Sequence, residues 1–170
     1  MLPPPRIRTS AGELRTLEPG DWRLEQALSW DPEVVRWTLH PPELDDDAAK
    51  AYVERGRANA EAGRSRRYVI ALNDEAVGLA GIFAPADSDP EVFYALLPAG
   101  RGRGAATVAA QALADWALDA GAKRVLLLTI VGNSASEGVA RRAGFGEIGT
   151  EVRPQRGVPT QLKVWAKPAQ

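Results

Sequence analysis

The chain of 170 residues has no cysteine and a single histidine, His40. The first absence excludes disulfide scaffolds, cysteine nucleophiles, thiolate zinc sites and iron–sulfur clusters. The second excludes metal sites built from several histidines, so no metal is expected. Long apolar runs are missing too. The longest stretch without a charged residue, Val125–Ser136, has 12 residues, short of the roughly 20 that a membrane-spanning helix needs. The first residues, Met1-Leu-Pro-Pro-Pro-Arg6, lack the apolar segment of a signal peptide, so a cytoplasmic protein with no membrane association is expected. A large excess of positive charge is also lacking. The formal net charge is −1, which argues against general nucleic-acid binding, because that needs a strong cationic field. What remains is a chain with 45% hydrophobic and 25% charged residues. That is the balance of one globular domain over residues 1–170.

The near-zero charge hides a division. Residues 1–100 carry a net charge of −6 and residues 101–170 one of +5, which is compatible with two ligands of opposite sign. Along the chain, residues 1–10 read as a loose, Pro- and Arg-rich tail. A short edge strand is expected at 13–17, then a turn whose Asp21 can cap a helix. Helices are expected at 22–30, 31–39 with Pro32 just inside it, and 45–62. His40, beside Pro41-Pro42, is expected at the surface. The period then changes to apolar runs at 68–72, 76–83 and 91–97, which read as strands. A helix over 104–120 presents Val108, Ala109, Ala112, Leu113, Trp116 and Ala117 on one face. Val125–Ile130 shows no alternation, the pattern of a strand buried on both faces. A short helix at 134–143 and a hairpin over 145–152 and 161–165 close the chain. The order implies an α/β or α+β fold with a mixed sheet.

The most informative segment is Tyr94-Ala-Leu-Leu-Pro-Ala-Gly-Arg-Gly-Arg-Gly-Ala-Ala106. A strand stops at Pro98, and a turn with Gly100, Gly102 and Gly104 opens directly into a helix. The first amides of that helix have no intrahelical partner, and with the helix dipole they suit an anion such as a phosphate. Arg101 and Arg103 add positive charge. A P-loop would need Lys-Ser/Thr where Ala105-Ala106 stands. A dinucleotide fold would need an acid at the end of the next strand, which instead ends Thr129-Ile-Val-Gly-Asn133. That second turn, Gly132-Asn-Ser-Ala-Ser136, is not a nucleophile elbow either, since its last glycine is replaced and His40 precedes it. Asn133 or Ser134 is expected to cap the helix that follows.

Taken together, the two turns resemble the GNAT superfamily of N-acetyltransferases. Arg101-Gly-Arg-Gly104-Ala-Ala106 is similar to that family's R/Q-x-x-G-x-G/A loop for the acetyl-CoA pyrophosphate. Asn133-Ser-Ala-Ser136-Glu-Gly-Val-Ala140-Arg-Arg-Ala-Gly144-Phe145 is similar to its second signature. The opening segments Leu14–Asp21 and Asp31–Trp37 resemble the branch that includes the RimJ/RimL-type ribosomal-protein N-terminal acetyltransferases. The resemblance spans about residues 7–167. It implies a single-domain mixed sheet of seven strands, flanked by helices, whose fourth (91–97) and fifth (124–130) strands splay around the pantetheine of acetyl-CoA. By the same resemblance, Leu96 offers backbone groups to the pantetheine and an oxyanion-type donor. Amides from Arg101, Gly102, Arg103, Gly104, Ala105 and Ala106 hold the pyrophosphate, with Ala106 small so that phosphate can approach. Asn133 bonds the pantetheine, and Ser136 lies near the thioester sulfur.

The resemblance implies direct attack of a primary amine on the thioester. Many relatives use a tyrosine seven residues after the asparagine as general acid, and here that position is Ala140. Ser136 and Tyr94 remain as catalytic candidates, although packing also accounts for Tyr94. An acid is dispensable, because a thiol with a pKa of about 8.5 leaves readily as thiolate. Candidate bases are Glu91, Asp87 and Asp89. A site without a strong base suits an α-amine, with a pKa of about 7.7–8.0, better than a lysine at about 10.4. The resemblance implies that Trp22, Trp30 and Trp37 lie in the helical region bordering the acceptor pocket, as an aromatic wall or, the expectation for at least two of them, as core packing. Asp45-Asp-Asp47 is suited to attract a cationic acceptor, although a solvated helix start explains it fully. The acceptor is then a protein N-terminus or a small molecule such as an aminoglycoside, polyamine or amino acid. The competing function is a non-catalytic acyl-CoA sensor. Many relatives are dimers, which leaves a homodimer open.

Overall fold

The computed structural model describes residues 2–169. Its strands are β1 (Arg6–Thr9), β2 (Gly12–Thr16), β3 (Ser65–Leu72), β4 (Glu75–Phe83), β5 (Glu91–Leu96), β6 (Arg124–Ile130), β7 (Gly146–Gln155) and β8 (Val158–Pro168). Its helices are α1 (Trp22–Trp30), α2 (Pro32–Trp37), α3 (Asp46–Glu61), α4 (Ala105–Asp119) and α5 (Ser134–Arg142). The strands form one sheet in the order β1-β2-β3-β4-β5-β6-β8-β7. Every neighbouring pair is antiparallel except β5 and β6, which α4 joins as a parallel crossover. Two-residue turns with positive φ close both long hairpins. Asn73 and Asp74 join β3 to β4, and Arg156 and Gly157 join β7 to β8. Such turns match the strands' twist.

Strand alternation sorts the core into two layers. Tyr68, Ile70, Ile82 and Val92 meet Ala109, Leu113 and Ala117 of α4 in a cluster that extends to Phe145 and Trp165. Val69 and Leu79 join Leu24 and Leu28 of α1, Val34 of α2 and Val53 of α3 in the other. The buried stripe of α4 is Ala105, Ala106, Ala109, Ala110, Leu113, Ala114 and Ala117. Val108, Ala112 and Trp116 of the expected face are only partly buried, with Trp116 packed against the edge of that cluster.

Several sequence expectations change. Residues 6–9 are a strand rather than a tail, paired along β2 from Arg6↔Arg15 to Thr9↔Gly12, so the sheet has eight strands instead of seven. The preceding prolines are tied down as well: Tyr68 Oη donates to Pro4 O at 2.9 Å, and Arg66 donates to Pro3 O. Asp21 stands before α1 without capping it. Its carboxylate accepts from Glu18 N–H at 2.7 Å and takes two Arg15 contacts at 2.8 Å. On β6, Val125, Leu127 and Thr129 are buried while Leu126, Leu128 and Ile130 are only partly covered. The unalternating sequence hides this alternation: Val125 and Leu127 join the core on the α4 side, whereas Leu126, Leu128 and Ile130 belong to neither core cluster.

Candidate active site

The gap follows from the register. On its β4 side, β5 is paired from Phe83↔Glu91 to Gly78↔Leu96. On its β6 side it is paired only at Glu91↔Leu126 and Val92↔Leu127. Leu97 N–H donates to Val77 O on β4 at 2.9 Å. Backbone groups alternate in direction along a strand, so those of Leu96 and Tyr94 point the other way, into the gap. Leu126 N–H donates across the seam to Pro90 O at 2.8 Å. By the same alternation Leu128 and Ile130 turn their backbone groups to the gap from the β6 side. Two strand edges therefore face each other without a ladder, which suits a ligand carrying amides along its length.

At the top of β5 the chain makes a 3-10 turn at Pro98–Gly100 and enters the glycine loop. Gly100 is needed for close approach rather than for turning, since a Cβ there would lie 2.9 Å from Val77 Cβ. Gly102 and Gly104 do the turning, at φ +70 and +76, and a Cβ on either would meet nothing within 4 Å. Gly104 caps α4 in the left-handed conformation with no side-chain hydrogen bond. The first amides of α4 therefore have no side-chain cap, as an anion site requires. Ala105 and Ala106 are buried and stand at the first positions of α4, after a cap with no side-chain hydrogen bond. The two arginines differ. Arg101 is paired with Asp31, Nη2 to Oδ1 at 2.5 Å, while Arg103 reaches only Ala99 O at 3.3 Å.

The second turn supplies the other wall. Asn133 Oδ1 accepts from Ser136 N–H at 3.1 Å and so caps α5. Ser136 Oγ lies 2.6 Å from Tyr94 Oη. The structure thus brings together Tyr94 of β5 and Ser136 of α5. Burial pushes the Tyr94 phenol up to about 12, partly offset by Ser136 and Arg142, so it is a neutral O–H at ordinary pH. Glu91 is not part of this group. It sits where β5 and β6 meet, on the opposite pleat face from Tyr94, and accepts from Arg153 at 2.9 Å. Asp89 is likewise held by Arg124 at 2.6 Å.

Opposite α4, His40 is buried rather than exposed. Its Nε2 lies 2.6 Å from Glu25 Oε2, and Arg67 donates to Glu25 Oε1 at 3.1 Å and to Tyr52 Oη at 2.5 Å. A fully buried carboxylate on α1 needs such partners. The sequence signal was a glutamate beside Leu24 and one turn before Leu28, on the apolar stripe of α1. Of the three tryptophans, Trp22 packs on the core of this layer, Trp30 is exposed with its N–H on Leu44 O, and Trp37 donates to Glu33. Asp45 caps α3 and Asp46 accepts from Gln26. Arg156, at the tip of the β7–β8 turn, donates to the carbonyls of Val35, Thr38 and His40. Nothing in the local sequence announces that contact.

Among the described residues there is no cluster of metal-ligating side chains, and no helix is long and apolar enough to cross a membrane. Comparison with curated protein sequences finds no match. Solved structures do match. The ribosomal-protein α-N-acetyltransferase RimL in complex with coenzyme A shares 20% identity, covering 97% of this chain and 96% of that one, with a TM-score of 0.76. The microcin C7 self-immunity acetyltransferase MccE, in complex with acetyl-CoA and AMP, shares 18% over 92% and 91%, with a TM-score of 0.82. A GNAT-family acetyltransferase from Bacillus anthracis shares 16% over 96% and 98%, with a TM-score of 0.80. The model of the acetyltransferase (GNAT) domain family matches residues 13–146. A sheet opened between β5 and β6, an uncapped helix start above the opening and this family match lead to one conclusion: the chain belongs to the GNAT acetyltransferases, with acetyl-CoA as co-substrate.

Proposed function

We propose that the protein acetylates a primary amine, with a protein N-terminal α-amine as the preferred acceptor. The observation that carries this reading is the gap between β5 and β6, with the glycine loop at its open end and the Tyr94–Ser136 hydroxyl pair, 2.6 Å apart, on one wall. In this reading the backbone of Leu96 binds along the pantetheine and supports the carbonyl oxygen as negative charge develops. The amides from Arg101 to Ala106 take the diphosphate. Asn133 fixes the start of α5, and its bond to Ser136 N–H sets where the serine hydroxyl lies. The Tyr94–Ser136 pair occupies the role left open at Ala140. A neutral phenol hydrogen-bonded to a serine can donate a hydrogen bond to a departing thiolate, which leaves unprotonated, but cannot serve as a base.

The acceptor preference comes from proton chemistry. Of the candidate bases, Glu91 and Asp89 have their carboxylates engaged by Arg153 and Arg124, and Asp87 is exposed in the β4–β5 loop. The hydrogen bonds of Tyr94 go to Ser136 and not to a carboxylate, so in this reading the cost of deprotonating the amine falls on the acceptor. An α-amine is easier to deprotonate than a lysine by about 2.5 pH units, or about 3.4 kcal/mol. The RimL likeness agrees with a protein N-terminus as acceptor. The test is thiol release from acetyl-CoA across a panel of peptides with free N-termini, N-blocked lysine peptides and small amines at pH 7.5. Turnover confined to free N-termini is the expected result. Tight CoA binding with no turnover on any amine would identify a sensor and overturn the enzymatic reading.

A further inference from the structure

Arg101 begins the glycine loop, yet its guanidinium does not lie over the loop. It reaches across 70 positions of sequence to Asp31, at the corner between α1 and α2. Asp31 Oδ1 collects three donors: Glu33 N–H at 3.0 Å, Val34 N–H at 2.9 Å and Arg101 Nη2 at 2.5 Å. One oxygen thus caps α2 and holds the loop. The Asp31 side chain is only 10% exposed, against 37% for Arg101. Partial burial raises its pKa, but the Val34 amide and Arg101 outweigh that and hold the carboxyl below its ordinary value. The carboxylate is therefore ionised and already committed.

The rest of the loop has little to fix it. Gly102 and Gly104 carry no side chains, the space beside both is open, and Arg103 bonds only to Ala99 within the same turn. Among the described residues, Arg101–Asp31 is the side-chain hydrogen bond that joins residues 101–104 to another element. A loop that must present its amides to a diphosphate binds better if it is ordered beforehand, because less entropy is lost on binding. We propose that Asp31 is a positioning residue for co-substrate binding: by holding Arg101 it presets the glycine loop and ties that loop to the α1–α2 corner. The inference rests on acetyl-CoA as co-substrate.

Three variants test it: Asp31→Asn, Arg101→Gln and the double. Asparagine keeps an oxygen for the Glu33 and Val34 amides, so α2 stays capped while the ion pair is lost. CoA affinity is read by calorimetry on the free protein, apart from any turnover. Asp31→Asn should weaken CoA binding roughly three- to fivefold, the range for a partly exposed ion pair. Its thermal midpoint should fall by no more than about 4 °C, and in assays the loss should fall in KM for acetyl-CoA rather than in kcat. Arg101→Gln should weaken binding at least as much, and the double variant no more than Arg101→Gln alone. Three results overturn the proposal: unchanged affinity in Asp31→Asn, additive losses, or tighter binding in Asp31→Asn. The last would show that Asp31 competes with the phosphates for Arg101. Wild-type protein that fails to bind CoA sinks the acetyl-CoA reading and the tether together, whereas wild type that binds CoA beside an unaffected Asp31→Asn sinks the tether alone.

Discussion

Replacing Gly104 separates charge from shape at the proposed phosphate loop. The residue caps α4 at φ +76, and a Cβ there meets no atom within 4 Å. A side chain at this position therefore costs only backbone strain, about 1–2 kcal/mol for an ordinary residue and less for asparagine, which tolerates the left-handed region. Asparagine and aspartate have nearly the same shape, so the pair isolates one negative charge. At about 5 Å from a diphosphate charge, with an effective dielectric between 20 and 80, that charge costs about 1–3 kcal/mol. CoA should bind Gly104→Asp roughly 5- to 150-fold more weakly than Gly104→Asn. The folded state should not show the same order. A carboxylate at a helix N-terminus is favoured by the helix dipole, so the aspartate variant should be at least as stable thermally as the asparagine one. Calorimetric titration with CoA at low salt, repeated at about 0.5 M NaCl, completes the experiment, because screening should narrow the gap. Equal CoA affinity of the two variants at low salt would refute the placement of phosphate at this helix start.

Tyr94→Phe should lower kcat by no more than about tenfold, since a thiol with a pKa of about 8.5 departs without much help, and should leave KM for acetyl-CoA unchanged. With the Tyr94 phenol up near about 12, the pH–rate profile between pH 6 and 10 should keep its shape in the variant; a limb that disappears with the hydroxyl would contradict this. Tyr68 is also pushed by burial to about 12, above the ordinary value of 10.0. A phenol whose folded pKa is raised contributes stability that is fully present below pH 10 and is lost as the pH rises through 12. Denaturant titrations of Tyr68→Phe should therefore fall less steeply over that range than those of wild type. Glu25→Ala leaves Arg67 and His40 without their partner and should cost about 3–5 kcal/mol, or roughly 10 °C in Tm; a change under 3 °C would show that the cluster contributes little. Deleting residues 2–10 removes β1 and the Pro3 and Pro4 contacts, so Tm should drop by several degrees, whereas a true tail would leave it unchanged.

The sequence made local structure legible where local rules apply. The glycine loop, the Asn133 cap, the long helices and the hairpin runs are each decided by residues close together in the chain. Gly104 is forced by backbone sterics and Asn133 by the amides three residues on, and both stand where they were expected. What stayed hidden depends on partners far away. His40 looks like a surface residue beside two prolines until α1 brings Glu25 to it. Arg101 looks like a free phosphate ligand until the fold puts Asp31 within 2.5 Å. Residues 6–9 look like a tail because a four-residue strand has too short a pattern to signal itself, and only pairing with β2 defines it. The Tyr94–Ser136 contact joins residues 42 positions apart, so spacing alone could name both but not bring them together.

The division of charge along the chain acquires a second use from the same geometry. Residues 1–100 end just before the glycine loop, so β5 belongs to the acidic part and β6 to the basic part. The boundary falls on the seam where the sheet has only two paired positions. Two ion pairs cross it, Asp89–Arg124 and Glu91–Arg153, beside the paired end, whereas Asp31–Arg101 joins opposite charges on the β5 side alone. Each is partly exposed and worth at most about 1 kcal/mol, so they do not hold the two parts together; the buried face of α4, packed into the main core, does that. What the pairs can do is bias geometry. A ladder cannot align β5 with β6 beyond Val92 without closing the gap, whereas side-chain pairs outside it can fix the strands' relation and leave their inner backbone edges free. The two pairs beside the seam thus leave the inner edges of β5 and β6 unpaired beyond Val92.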